Sequence, residues 1–245
     1  MNAKNNKEPI VVYWGPSVID WNLLYPDPKN LFLSITEQRS KDRGEKSFFT
    51  CPAFQDKTKN IYSFSFPMDT SYEWDFSNDN QVFRPVNDQN PFIGFKILRN
   101  PCINNSPQIE FSLFYSFFCE EPLKATFTAP YFSEPNYTKS ASVAPGTMDI
   151  GQWFRPYPIE MTFWKEKGTV DFKDGESLFY VEFLTDRPII LKRYNTTEKI
   201  LSYSNTCSKS PQTWSPRIPL VKRYQRFNES KMGKAIIKEI KENLL

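Results

Sequence analysis

A chain of 245 residues with a net charge of +3 and no histidine is long enough to bury one large core or two small ones. The missing imidazole removes Ser-His-Asp and Cys-His nucleophilic machinery, histidine-built zinc sites and the two-histidine, one-carboxylate iron site. Any chemistry then has to run on carboxylates, Lys, Tyr, Cys or a carboxylate-bound divalent cation, and a non-catalytic role is the preferred expectation.

The first nine residues are polar and lack the apolar stretch of a secretory signal. Aromatics make up 16% of the chain, with 22 Phe and 20 Pro against 8 Gly, which favours strands over helices. A first strand is expected over 10–14, closed by Gly15-Pro16. Tyr13, Trp14, Trp21 and Tyr25 read either as a stacking or carbohydrate-binding groove or as core and subunit contacts. Pro26 and Pro28 break 23–33 into turns, and the charged run 38–46 reads as an exposed loop or a frayed helix.

Alternation with a period of two resumes over 61–66. Residues 69–90, rich in Asp, Asn and Ser, read as a long surface loop. Its Asp69, Glu73, Asp75 and Asp79 suggest a divalent-ion site or a solvated loop. The second is favoured because the glycine-bearing spacing of a calcium loop is missing. A strand pair is expected over 92–98 and 109–118, then a strand over 123–129 and a loop over 130–144. Strands follow over 159–164, 169–172, 178–184, 189–194 and 200–203, with turns at 165–168, 173–176 and 185–188. This spacing predicts an antiparallel sandwich or barrel, not a βαβ fold. One helix is predicted, where Met232, Ala235, Ile236, Ile240 and Leu244 recur on one face with Ser230 as its cap.

Cys51, Cys102, Cys119 and Cys207 have no C-x-x-C spacing, so reduced thiols of an intracellular protein are expected, with no metal site. No apolar run reaches membrane-spanning length. Charge is uneven. Residues 206–245 hold nine Lys or Arg against three Glu, a net of +6, which leaves −3 on the remainder and marks the tail as a separate element. Within it Lys222, Arg223 and Arg226 interleave with Tyr224 and Phe227, a pattern suited to phosphate contact plus base stacking. The alternative is a solvated helix docking on a partner or a neighbouring subunit.

Within 145–183, Gly146-Thr-Met-Asp149 is followed by Trp153-Phe-Arg155-Pro and then by Gly175-Glu176 before a last strand. This block resembles the β-clip group, best known from the dUTPase/dCTP deaminase superfamily. The resemblance implies that Asp149 helps to activate water for attack on a phosphate, with Mg²⁺, and that Trp153 stacks on a pyrimidine with Arg155 nearby. Several parts of the family pattern are missing: the closing Gly after Arg155, a Ser-rich phosphate motif, the glycine-rich C-terminal arm and the acidic metal-coordinating motif. Glycine scarcity weighs against phosphate cradling by backbone N–H groups. The competing reading makes Asp149 and Arg155 an ion pair in a structural turn. On residues 49–59, 61–69 and 145–183 the chain also resembles an uncharacterised family of proteins of tailed phages of marine bacteria. That resemblance implies an origin, with the host cytoplasm or the virion as location, and no activity.

The expectation is therefore a mainly β protein: a β-clip-like or jelly-roll-like antiparallel domain over 1–205, with an optional division near 100, and a basic tail over 206–245 with a helix at about 230–244. The expected role is a non-catalytic, phage-encoded binding or structural protein that is homo-oligomeric or bound to virion proteins, with no cofactor and no membrane. Two alternatives stay open. One is a diverged dUTPase-like nucleotide hydrolase or nucleotide binder, and the other is an accessory protein tethered to nucleic acid through the tail.

Overall fold

Strands dominate the computed structural model, which describes residues 8–41, 51–77, 81–86, 94–98, 107–208 and 219–245. In chain order these hold β1 (Ile10–Pro16), β2 (Lys29–Asn30), α1 (Leu31–Lys41), α2 (Pro52–Thr58), β3 (Ile61–Ser65), β4 (Thr70–Asp75), β5 (Val82–Pro85) and β6 (Phe95–Leu98). There follow β7 (Gln108–Cys119), β8 (Lys124–Thr128), β9 (Ala141–Val143), β10 (Gly146–Asp149), β11 (Pro156–Phe163), β12 (Lys167–Phe172), β13 (Ser177–Phe183) and β14 (Ile189–Arg193). Three helices close the chain: α3 (Glu198–Ser208), α4 (Leu220–Glu229) and α5 (Met232–Glu242).

Three sheets result. The first runs β14-β1-β7-β11-β9, with β6 also on β7; the second runs β10-β8-β13-β3-β2; the third runs β12-β4-β5. Only β1 and β14 pair in parallel, and every other recorded pairing between strands is antiparallel. The second and third sheets share a bent ribbon, because β3 pairs with β13 and the following β4 pairs with the preceding β12. At the bend Phe66 N donates to Glu176 O (2.9 Å), Gly175 N donates to Phe66 O (3.1 Å) and Asp174 N donates to an Asp69 carboxylate oxygen (2.7 Å). Gly175 has φ of 76°, a left-handed conformation that glycine takes without steric cost.

The first sheet forms one layer and the other two form the second, joined by aromatic side chains. Trp14, Tyr115 and Phe117 meet Phe64, with T-shaped ring pairs at 5.2–5.7 Å for Trp14–Phe64 and Phe64–Phe117. Phe111 and Phe163 of the first sheet meet Tyr72, Phe83 and Phe172 of the third. Such edge-to-face pairs contribute roughly 0.5–1.5 kcal/mol each beyond their area burial.

Strand β7 shows how sequence pattern encodes the helical cover. Its first half alternates, with Ile109, Phe111 and Leu113 inside and Gln108, Glu110 and Ser112 half-exposed. From Tyr115 to Cys119 every residue is buried, because the outward-facing Phe118 is covered too. The cover is a second core in which Tyr13, Phe118, Phe154 and Tyr194 pack with Ile200 of α3 and Phe227, Ile236 and Ile240 of α4 and α5. The predicted tail helix is therefore built into the sandwich. Tyr194 bridges Leu244, Asn195 N donates to Asn243 O (2.9 Å) and Leu245 N donates to Arg193 O (3.1 Å). Glu239, 8% exposed, pairs with Lys199 across α3 and α5.

Several expectations are corrected. The three strands of the 145–183 block do not form one unit: β11 pairs with β7 and β9, β12 with β4, and β13 with β3 and β8. The expected turn at Lys173–Glu176 is present, with Glu176 N donating to Lys173 O (3.2 Å), and it lies at the ribbon bend between two sheets. The expected loop 69–90 contains the antiparallel pair β4–β5. The expected strand 200–203 lies inside α3, and α2 and α4 were not anticipated as helices. The charged run 38–46 begins inside α1, and its remainder from 42 lies outside the described residues, as do Asp79, Cys102, Lys209 and Arg217. No helix among the described residues is long and apolar enough to cross a membrane.

Candidate functional site

Asp149 ends β10 beside the connection from β7 to β8. One of its carboxylate oxygens accepts from Leu123 N (3.1 Å) and from Gly151 N (3.0 Å). Ile150 N donates to Leu123 O (2.9 Å) alongside. The aspartate clamps two backbone segments, the ordinary use of an Asx side chain at a turn. Arg155 does not join it, for no ion pair between the two exists among the described residues. The corner ion pair expected as the structural alternative is thus replaced by a carboxylate–backbone clamp. Asp149→Ala is expected to lower stability by about 1–3 kcal/mol, the cost of leaving partly buried donors unpaired, with Asp149→Asn closer to wild type. Urea unfolding midpoints check this, and an unchanged midpoint for the alanine variant would remove the clamp.

Trp153 leaves the clamp and enters the helical core with 4% of its surface exposed. It meets Tyr224 edge-on at 4.9 Å and Phe227 at 6.0 Å. Its ring is a packing surface and offers no open face for a pyrimidine. The sequence placed Trp153 and the pair Arg223 and Arg226 in separate candidate sites. The fold brings them to the walls of one cleft of about 140 Å³, with Cys207, Phe227 and Met232. Helix α4 does this: Tyr224 and Phe227, three residues apart, turn inward, while Arg223 is half-buried and Lys222 and Arg226 are exposed. Lys222 does not line the cleft. Trp153 Nε1 and Arg223 Nε are both buried with no hydrogen-bond partner among the described residues, each at a cost of about 1–3 kcal/mol. Arg155 Nε, outside this lining, is also buried with no partner among the described residues.

A larger cleft of about 800 Å³ lies on the other side of Phe227 and Ser230. Phe118, Phe227 and Ile237 supply apolar wall, and Lys234, Lys238 and Lys241 supply charge. Its carboxylates are engaged, Glu120 with Lys241 at 2.5 Å and Glu242 with Lys238 at 3.9 Å. The corner between α4 and α5 is fixed by Ser230, whose hydroxyl donates to Phe227 O (2.7 Å) and accepts from Met232 N (3.2 Å). The sequence expected Ser230 to cap α5; instead Ser230 is the C-cap of α4, and the N-cap of α5 is Lys231, with no side-chain cap hydrogen bond. Sequence reading missed this larger cleft because Phe118 and Ile237 are far apart in the chain and meet only through sheet and helix.

The remaining candidates resolve into structure. Trp21 and Tyr25 are buried in the main core and Tyr13 in the helical one, while Trp14, buried in the main core as well, also lines a cleft of about 590 Å³ with Leu191, Arg193 and Leu244. Asp69 accepts from Asp174 N, Glu73 pairs with Arg84 at 2.5 Å and Asp75 accepts from Ser77 N at 2.9 Å. Among the described residues no three His, Cys, Asp or Glu side chains gather as a metal-ligand group. Burial pushes the Cys119 thiol up to about 12 and the Cys207 thiol up to about 11, so both stay protonated and poorly nucleophilic at neutral pH. Comparison with family models, curated proteins and solved structures finds no match.

Proposed function

We propose that this chain is a non-catalytic binding protein whose ligand face is the helical end of the sandwich. The observation that carries the reading is the larger cleft. It has an apolar wall of Phe118, Phe227 and Ile237 and a rim on which Lys238 and Lys241 pair with Glu242 and Glu120, which leaves Lys234 as the rim cation outside any ion pair among the described residues. At about 800 Å³ it falls in the size range of small-molecule sites, roughly 300–1,000 Å³. Its chemistry suits an anionic ligand with an apolar or aromatic body, of which nucleotides are one class. Asp149, bound to two backbone N–H groups, supports the same reading by serving the fold. Phage origin and assembly as a homo-oligomer or on virion proteins belong to this proposal and rest on the sequence resemblance.

A thermal-shift panel of nucleotides, with and without Mg²⁺, tests it. The expected result is a rise in Tm for the wild type that Lys234→Glu abolishes, with no product formed. Release of pyrophosphate or phosphate from dUTP or dCTP would overturn the non-catalytic reading. No shift with any nucleotide would remove that ligand class. A second reading, tethering to nucleic acid, is favoured by the exposure of Lys222, Arg226, Lys231 and Lys234, none in an ion pair among the described residues. Reversing Lys222 and Lys231 to Glu would then weaken DNA retention and flatten its salt dependence.

A further inference from the structure

We propose that the larger cleft takes an organic monocarboxylate with an apolar chain, its carboxylate at Lys234 and its chain in a recess beside Gly233. This deepens the binding-protein reading above and rests on it. Gly233 is the second residue of α5, and among the described glycines it alone lies in a helix. The chain uses glycine sparingly, eight in 245 residues, and a helix favours alanine over it. Neither backbone nor packing calls for glycine at this position. Its φ is not in the left-handed region, and a Cβ would come no nearer than 3.8 Å to the Phe118 ring and 3.9 Å to the Phe227 ring, ordinary van der Waals contact. The missing methyl leaves a recess against these ring edges, and all three residues line the cleft. Gly233 itself is half-exposed, so the recess is open to a ligand.

Charge sets the head group. Lys238 and Lys241 hold Glu242 and Glu120, and among the described residues Lys234 is the cleft cation outside any ion pair. The neutral polar groups are committed as well. Ser230 donates its hydroxyl to Phe227 O, the Asn228 carboxamide donates to Gln152 Oε1 and the Cys119 thiol donates to Glu121 O. One uncompensated positive charge matches one negative charge. A polyphosphate would set its further charges against the Glu120 and Glu242 carboxylates, and no arginine fork lines the cleft to gather them. Lysine suits the rim, because its methylenes add apolar wall while its ammonium stays in water. At about 800 Å³ the cleft has room for an acyl chain as well as its head group.

Titration calorimetry of the full chain with hexanoate, octanoate and decanoate, beside octanol, AMP and dUTP, tests the assignment. Saturable binding of one alkanoate per chain is expected, tightening about fourfold per added methylene. Lys234→Gln is expected to weaken octanoate about tenfold and to leave octanol unchanged. Gly233→Ala fills the recess, so decanoate is expected to bind about tenfold more weakly. The same variant is expected to keep its Tm or to gain up to about 4 °C, because the helix gains an alanine. A glycine that served packing alone would give the reverse, a lower Tm with affinity intact. Unchanged decanoate affinity in Gly233→Ala therefore overturns the recess. Affinity that ignores chain length, or octanol binding as tightly as octanoate, overturns the division into head and chain. AMP or dUTP binding more tightly than decanoate overturns the monocarboxylate and leaves the binding-protein reading standing. No saturable binding of any of these ligands below about 10 mM overturns both.

Discussion

A chain ending at Ser230 is expected not to fold, even though α5 is the last element and the most regular helix in the sequence. Ile236 and Ile240 are fully buried and Ile237 nearly so, against Tyr13, Phe118, Phe154 and Tyr194 of the sheet layer. Truncating a buried isoleucine to alanine costs about 2–5 kcal/mol. Losing three such side chains together with the Tyr194–Leu244 bridge approaches the roughly 5–15 kcal/mol that holds an ordinary domain together. Circular dichroism and limited proteolysis of the truncated chain check this. A soluble product with a cooperative melt close to that of the full chain would show that the helix is dispensable. A graded version uses Ile240→Ala, expected to cost about 2–5 kcal/mol. The exposed Lys238→Ala is expected to stay within about 0.5 kcal/mol.

Gly151→Ala is the second large effect. A Cβ there would lie 1.9 Å from Glu121 O, 2.5 Å from the Glu121 carbonyl carbon and 2.9 Å from Pro122 Cα. All three are backbone atoms, so no side-chain rotation relieves the overlap and the loop after β10 must retreat from the β7–β8 connection. That movement also breaks the Asp149 clamp, which spans the same two segments. The cost is expected at or above the usual overpacking range, about 3 kcal/mol, lowering Tm by roughly 6–12 °C for a chain of this size. Gly175→Ala is the contrast. Its Cβ meets nothing within 4 Å, but φ of 76° strains any L side chain, so about 1–2 kcal/mol is expected. Differential scanning calorimetry ranks the two. Equal melting temperatures would refute the close approach at Gly151.

Strand content was written locally. Period-two runs such as those of β3, β8, β11 and β13 were readable because alternating side chains must face opposite sides of a sheet. The helical period of α5 was readable for the matching reason. The hairpin β4–β5 was hidden because its Asp, Glu and Arg residues face solvent, and polar composition there imitates a loop. Helix α4 was hidden because its half-buried Tyr224 and buried Phe227 are spaced by three among cations, which resembles an exposed binding tract. The aromatic run of β7 from Tyr115 to Cys119, interrupted by Ser116, was visible in the sequence. What covers its outer face was not.

The amino-acid sequence by itself determined that the protein is mainly β, that its strands are aromatic, that histidine chemistry is excluded and that the chain ends in an amphipathic helix. Each of these follows from side-chain chemistry and local period, which neighbours in the chain suffice to set. Only the tertiary structure decided which strands pair, so that β11, β12 and β13 went to three different sheets. It alone turned Asp149 into a backbone clamp and gathered Trp153, Arg223 and Arg226 around one cleft. Those outcomes depend on contacts between residues as far apart as Ile61 and Glu182, 121 positions from each other. Such contacts are selected by how buried surfaces fit together, a property that no local stretch of sequence contains.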